Sequence, residues 1–133
     1  MGRHLRAGWW GLAVFVVLGG ALELLHAVKS PVYVDAGRET TRLLLRLAHA
    51  HGTLLSVINI AYALTLRARP RSAGAAASAG LLASLVLLPG GFFVGGLWAH
   101  GGDPGLGIVL VPAGAVALLA ASVLIGWRST IRE

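Results

Sequence analysis

No cysteine occurs in the 133 residues, which excludes disulfides, thiolate zinc sites and cysteine-held iron–sulfur clusters. Any metal or haem must use His and carboxylate. Charge is scarce too: Asp, Glu, Lys and Arg make up 12% of the chain against 56% hydrophobic, where a soluble domain carries roughly 25% charged residues. So few charges cannot cover a surface facing water, and the solvent is therefore lipid. Acidic residues are rarest, five against eleven Lys and Arg, for a net charge of +6. The basic residues flank apolar runs, so they read as topology signals and lipid-headgroup contacts rather than as a nucleic-acid surface. No phosphate loop or Ser-His-Asp set is evident, and the Gly pairs follow no strand, so they are not a dinucleotide fingerprint. The length fits one domain, 1–133, with nothing left over for a soluble module.

What is present is apolar sequence in membrane-length runs. A helix needs about 20 apolar residues to cross ~30 Å of hydrocarbon. Four segments qualify: Trp9–Val28, Leu43–Leu66, Ala73 to about Trp98, and Leu106–Trp127. The predicted fold is an all-α, up-and-down four-helix transmembrane bundle. The first run follows Arg3 and Arg6 like a signal peptide, but its length, Glu23 and the lack of a small-x-small cleavage site favour a span. Arg3, Arg6, Arg67, Arg69, Arg71, Arg128 and Arg132 fall on one side, and Lys29, Arg38, Arg42 and Arg46 on the other. By the positive-inside rule both termini are cytoplasmic, as in a bacterial-type inner (plasma) membrane protein with N-in/C-in topology. Trp9, Trp10 and Trp127 mark one interface, and Tyr33 and Trp98 the other.

The connections carry local signals. Pro31 biases Ser30 away from helix, so Ser30–Val34 reads as extended, with Asp35 as N-cap of a helix from Ala36 to about Arg69. Asp103 reads as N-cap of the last span with Pro104 at its first position, and Pro112 predicts a kink. The run from Pro89 to Gly105 has two readings. Either Gly91 and Gly95 form a small-xxx-small pair for close packing, or the helix breaks near Pro89 and lines a cavity.

Ionisable groups inside a membrane suggest function by default. On this topology Glu23 and His26, His49 and His51, and His100 with Asp103 all fall toward the outer end, whereas His4 belongs to a cytoplasmic tail. Four of the five histidines are thus expected to converge. Glu23 and His26 follow the Glu-x-x-His spacing of carboxylate metal sites. Glu23 has a second reading, as an ion-pair partner of Arg42 or Arg46. His49 and His51 lie about 200° apart on a helix, so both cannot bind one ion. Asn59, near mid-membrane, suits an interhelical hydrogen bond. A set of imidazoles with a carboxylate suits iron, copper or zinc, or an axial ligand to haem, with the glycines around Phe92 and Phe93 leaving a flat apolar slot. Without metal, a His beside Glu23 suits a proton relay or acid–base chemistry on a lipophilic substrate.

The stretch Leu47-Ala-His-Ala-His-Gly-Thr-Leu-Leu-Ser-Val-Ile-Asn59 resembles the Ala-His-x-x-Gly or Ala-His-x-Gly stretch, followed by Asn, of the styrene oxide isomerase and hydroxylaminobenzene mutase group. The likeness covers about a dozen residues and the four-span plan. It implies haem b held by His49, with His51 the alternative, acting as a Lewis acid in a trimer. The spacing departs from that group, because Asn59 follows His49 by ten residues rather than about six, and the second His has no counterpart there. The expectation is a small membrane protein binding haem b or a transition metal through His26, His49, His51 or His100, with Glu23 as the catalytic carboxylate, for redox or isomerase chemistry in a homo-oligomer. The alternative is a non-catalytic accessory or assembly subunit of a larger membrane complex.

Overall fold

The computed structural model describes residues 2–70 and 74–130. Its long helices are α1 (Gly2–Ala27), α3 (Glu39–Ala68), α4 (Ala75–Leu97) and α5 (Leu110–Thr130), with a short α2 (Pro31–Val34) between the first two. Each of the four lies in a stretch long and apolar enough to cross a membrane. The chain is a multi-pass membrane protein with an all-α four-helix bundle. Arg71, Ala73 and Arg132, used in placing spans and counting charges, lie outside the described residues. The helices alternate in direction, so the start of α1, the end of α3, the start of α4 and the end of α5 share one end, here the terminal end. Hydrogen bonds from Arg69 Nη1 to the Ser129 carbonyl, 2.7 Å, and from Arg3 Nη2 to Ser78 Oγ, 2.6 Å, tie that end together. The opposite end carries the Val28–Arg38 and Trp98–Val109 connections.

The bundle is an open row. Helix α1 packs on α3, α3 on α4 and α4 on α5, while α1 meets α4 only marginally and does not meet α5. The outer faces of α1, with Trp9, Trp10, Val14 and Val17, and of α5, with Val116, Leu119, Val123 and Trp127, are therefore exposed. In water such faces would aggregate, but in a bilayer they are the lipid contact. Between helices in lipid no hydrophobic drive exists, and close backbone approach has to supply the attraction. Glycine permits it here. A Cβ at Gly8 of α1 would lie 2.7 Å from the Ser56 carbonyl oxygen of α3, and one at Gly114 of α5 would lie 2.8 Å from the Leu88 nitrogen of α4. The Gly91 and Gly95 pair packs against Gly105, Gly107 and Ile108, in line with the close-packing reading.

Several local expectations are corrected. Helix α4 runs unbroken through Pro89, so the helix does not break there. Pro112 lies in the first turn of α5, where its missing N–H costs no hydrogen bond, and a kink is not required. Ser30 is extended as expected, but Pro31–Val34 is helical because a proline at the first position is pre-set for a helical turn. Asp35 precedes a 3-10 turn, Ala36–Arg38, without a side-chain capping bond. Asp103 does not cap the last span, since α5 begins at Leu110 after a 3-10 turn from Leu106.

Helix α1 ends with the Ser30 N–H on the Leu25 carbonyl, 3.0 Å, and with Lys29 at φ 51°. That left-handed conformation costs a residue with a Cβ about 1 kcal/mol. Lys29→Gly is expected to stabilise the protein by up to about 1 kcal/mol in thermal unfolding. A loss of stability instead would assign the lysine side chain a contact that outweighs its backbone strain.

Candidate functional sites

The geometry of α3 decides where its two histidines go. Their angular separation sends His49 to the α1 side and His51 to the α4 side. His49 Nδ1 donates to the Phe15 carbonyl, 2.6 Å. The ring reaches that main-chain oxygen because Gly19 has no side chain, since a Cβ there would enter the imidazole. A ring that donates from Nδ1 keeps Nε2 as a lone-pair acceptor. His49 lines a cleft of about 280 Å³ together with Val16, Gly19, Gly20, Leu22, Glu23 and Arg46. A base, a carboxylate and a guanidinium thus share one opening on the flank of α1 away from α4. His51 Nδ1 donates to the Leu47 carbonyl of its own helix, 2.9 Å, and its ring lies 4.9 Å from that of Phe92.

The remaining predicted site residues lie elsewhere. His26 is exposed at the end of α1, with its ring edge-on to Tyr33 at 6.5 Å. His100 is exposed in a turn closed by reciprocal backbone hydrogen bonds with Asp103, and its Nδ1 donates to the Trp98 carbonyl. The expected convergence of four histidines is not seen among the described residues: the cleft that holds Glu23 contains His49 and no second histidine. Among the described residues no three His, Asp or Glu side chains come close enough to hold a metal ion. Arg42 clamps the first connection through bonds from Nη1 to the Tyr33 and Asp35 carbonyls, both 2.9 Å.

The histidine placed in a tail is the most buried of the five. Because α1 starts at Gly2, His4 is a helical residue with no exposed surface. Its Nδ1 lies 2.7 Å from Asn59 Oδ1, and its Nε2 meets Ser78 Oγ. The Asn59 amide nitrogen donates to the Leu55 carbonyl, 2.9 Å, so its oxygen faces the ring. An amide oxygen only accepts, hence Nδ1 carries the proton and Nε2 takes the Ser78 hydroxyl hydrogen. Arg3 Nη2 donates to the same Oγ. The Tyr62 ring stands edge-on to His4 at 4.8 Å, and its buried hydroxyl has no hydrogen-bond partner among the described residues. The interhelical bond expected of Asn59 is present, and its partner is His4.

An apolar groove of about 690 Å³ separates α1 from α4, lined by Trp10, Phe15, Leu18, Val86, Gly90 and Phe93 among others. No imidazole lines it; His51 lies outside it, beside Phe92. Gly91 and Gly95 turn to α5, and Gly96 to α3. No protein-family model, curated protein or solved structure matches this chain.

Proposed function

We propose that this membrane protein binds haem b through His49 at the Glu23–Arg46–His49 cleft and works in redox or isomerase chemistry. The observation that carries the reading is the bond from His49 Nδ1 to the Phe15 carbonyl, because an imidazole so held presents Nε2 with a fixed direction. Histidines that ligate iron are oriented in this way by a backbone or carboxylate acceptor on the other nitrogen. The residues suit a group that asks one nitrogen of the protein. A bare transition-metal ion fits less well, since it wants several ligands at once and Arg46 brings positive charge into the same cleft. The resemblance of Leu47–Asn59 to the isomerase group favours the same histidine. When bound, haem supplies a redox-active or Lewis-acidic iron. Glu23 holds or moves a proton beside it, and Arg46 balances negative charge. The cleft is lined by α1 and α3 alone, which leaves a side that a second copy of the chain would complete in a homo-oligomer. Arg3, Arg6, Arg67, Arg69 and Arg128 at the terminal end favour the N-in/C-in orientation in a bacterial-type plasma membrane.

The test is an absorption spectrum of detergent-purified protein from haem-replete cells, oxidised and then reduced with dithionite. The expected result is a Soret band that shifts on reduction, is lost in His49→Ala and is kept in His51→Ala. A folded, colourless protein without stoichiometric iron would overturn the reading. It would favour the accessory-subunit alternative, in which the exposed faces of α1 and α5 would meet other chains rather than lipid.

A further inference from the structure

We propose that Ser78, His4 and Asn59 form a second, separate site at the terminal end, a nucleophilic triad that hydrolyses a lipid-borne carboxylic ester. A serine becomes nucleophilic when an adjacent base takes its proton and a third group orients that base, and such sites are recognised by geometry rather than by order in the chain. All three roles are filled here. Ser78 Oγ is hydrogen-bonded to His4 Nε2, and His4 Nδ1 to Asn59 Oδ1. An asparagine in the third place fails when its amide nitrogen turns to the ring, because the base then carries its proton on the wrong nitrogen. The Leu55 carbonyl prevents this by holding the Asn59 nitrogen away. The proton therefore sits on Nδ1, and Nε2 is free to act as base toward the hydroxyl.

One donor already points at the nucleophile, Arg3 Nη2 on Ser78 Oγ. A charged donor held in place is worth most where negative charge develops in the reaction. In the reaction, Ser78 Oγ bonds to the ester carbonyl carbon while its proton passes to His4 Nε2. The tetrahedral oxyanion is stabilised by Arg3. The carbon–oxygen bond to the alcohol breaks, and the alcohol leaves with the proton from Nε2. Water then attacks the acyl-serine, giving its proton to Nε2. That proton returns to Ser78 as the carboxylic acid departs. The ester is lipid-borne because the network lies between three membrane-length apolar helices, and Arg3 and Arg6 at that end suit an anionic headgroup.

The experiment treats the full-length protein in detergent micelles with a long-chain alkyl fluorophosphonate, which transfers phosphorus to an activated serine and releases fluoride. The expected result is one adduct per chain, mapped to Ser78, absent in Ser78→Ala and slowed by roughly a hundredfold in His4→Gln. No adduct on folded protein, or one that forms equally fast in His4→Gln, overturns the proposal. If His4→Gln fails to fold, Ser78→Cys gives the decision, because the chain has no other thiol. Its alkylation by iodoacetamide at neutral pH is expected to be roughly tenfold faster in the folded protein than in the denatured chain, since His4 draws off the thiol proton. A folded-state rate at or below the denatured rate overturns it.

Discussion

Gly8→Leu is expected to destabilise the protein by about 3 kcal/mol, the upper end of what overpacking costs, and to release α1 from the bundle. The cause is the neighbour that a side chain would meet. A Cβ at position 8 lies 2.7 Å from the Ser56 carbonyl oxygen and 3.1 Å from the Ile60 nitrogen, both backbone atoms of α3 that cannot rotate away. The helices would have to separate along their length. Contacts at Gly11 with Ser56 and at Gly52 with Phe15 belong to the same interface and would open with it. Because α1 leans on α3 and barely on α4, no other helix would retain it. Gly20→Leu is the control: it changes the same helix, but nothing lies within 4 Å of a Cβ there, and a change within about 0.5 kcal/mol is expected. Denaturation in mixed micelles, followed by circular dichroism, measures both. Equal effects at the two positions would mean that α1 is held by lipid rather than by α3. The same separation would part His49 from Phe15 and His4 from Ser78, so Gly8→Leu should also abolish both proposed activities.

The spans were legible because apolar length is a direct consequence of bilayer thickness. Their ends were not, because a charge marks where a helix leaves hydrocarbon, whereas the helix itself continues while its backbone bonds can form. Arg3 and Arg6 put the start of the first span at Trp9 and His4 in a tail, yet α1 runs from Gly2. Proline is ambiguous for the same reason at Pro31 and Pro89: it disfavours helix in the residue before it, yet opens a helical turn at Pro31 and is accommodated inside α4 at Pro89.

The candidate sites were legible to the extent that they depend on rotation within one helix. The angle between His49 and His51 showed that they could not share a ligand. Which neighbour each would face needed the order of helices in the row, and that order rests on glycine contacts at all three interfaces. Asn59 announced an interhelical hydrogen bond, because an unpaired amide in a bilayer is costly. Its partner, 55 positions earlier in the chain, depended on where α1 starts and how it is rotated.

Asn59→Leu is expected to cost about 2 kcal/mol, a typical penalty for one buried unsatisfied donor and a lost hydrogen bond. Leucine is close to asparagine in volume, so little of the loss is packing. The loss arises at His4, whose Nδ1–H would face a methyl group with no exposed surface through which to reach water. His4→Leu should cost a similar amount by stranding Asn59 Oδ1 and the Ser78 hydroxyl hydrogen, while Ser78 Oγ keeps its bond from Arg3. The two together should cost less than their sum by about 1–2 kcal/mol, because the second substitution removes the group that the first left unpaired. A double-mutant cycle in denaturing micelles reads this coupling. Additive losses would mean that the 2.7 Å contact carries no net energy, and that each side chain is held by its other partners. A coupling of the expected size would make the network the polar joint of α1, α3 and α4, the three helices from which His4, Asn59 and Ser78 come. It would also give the imidazole the rigidity that a base needs, since a ring bonded at both nitrogens to two different helices cannot turn without breaking one of them.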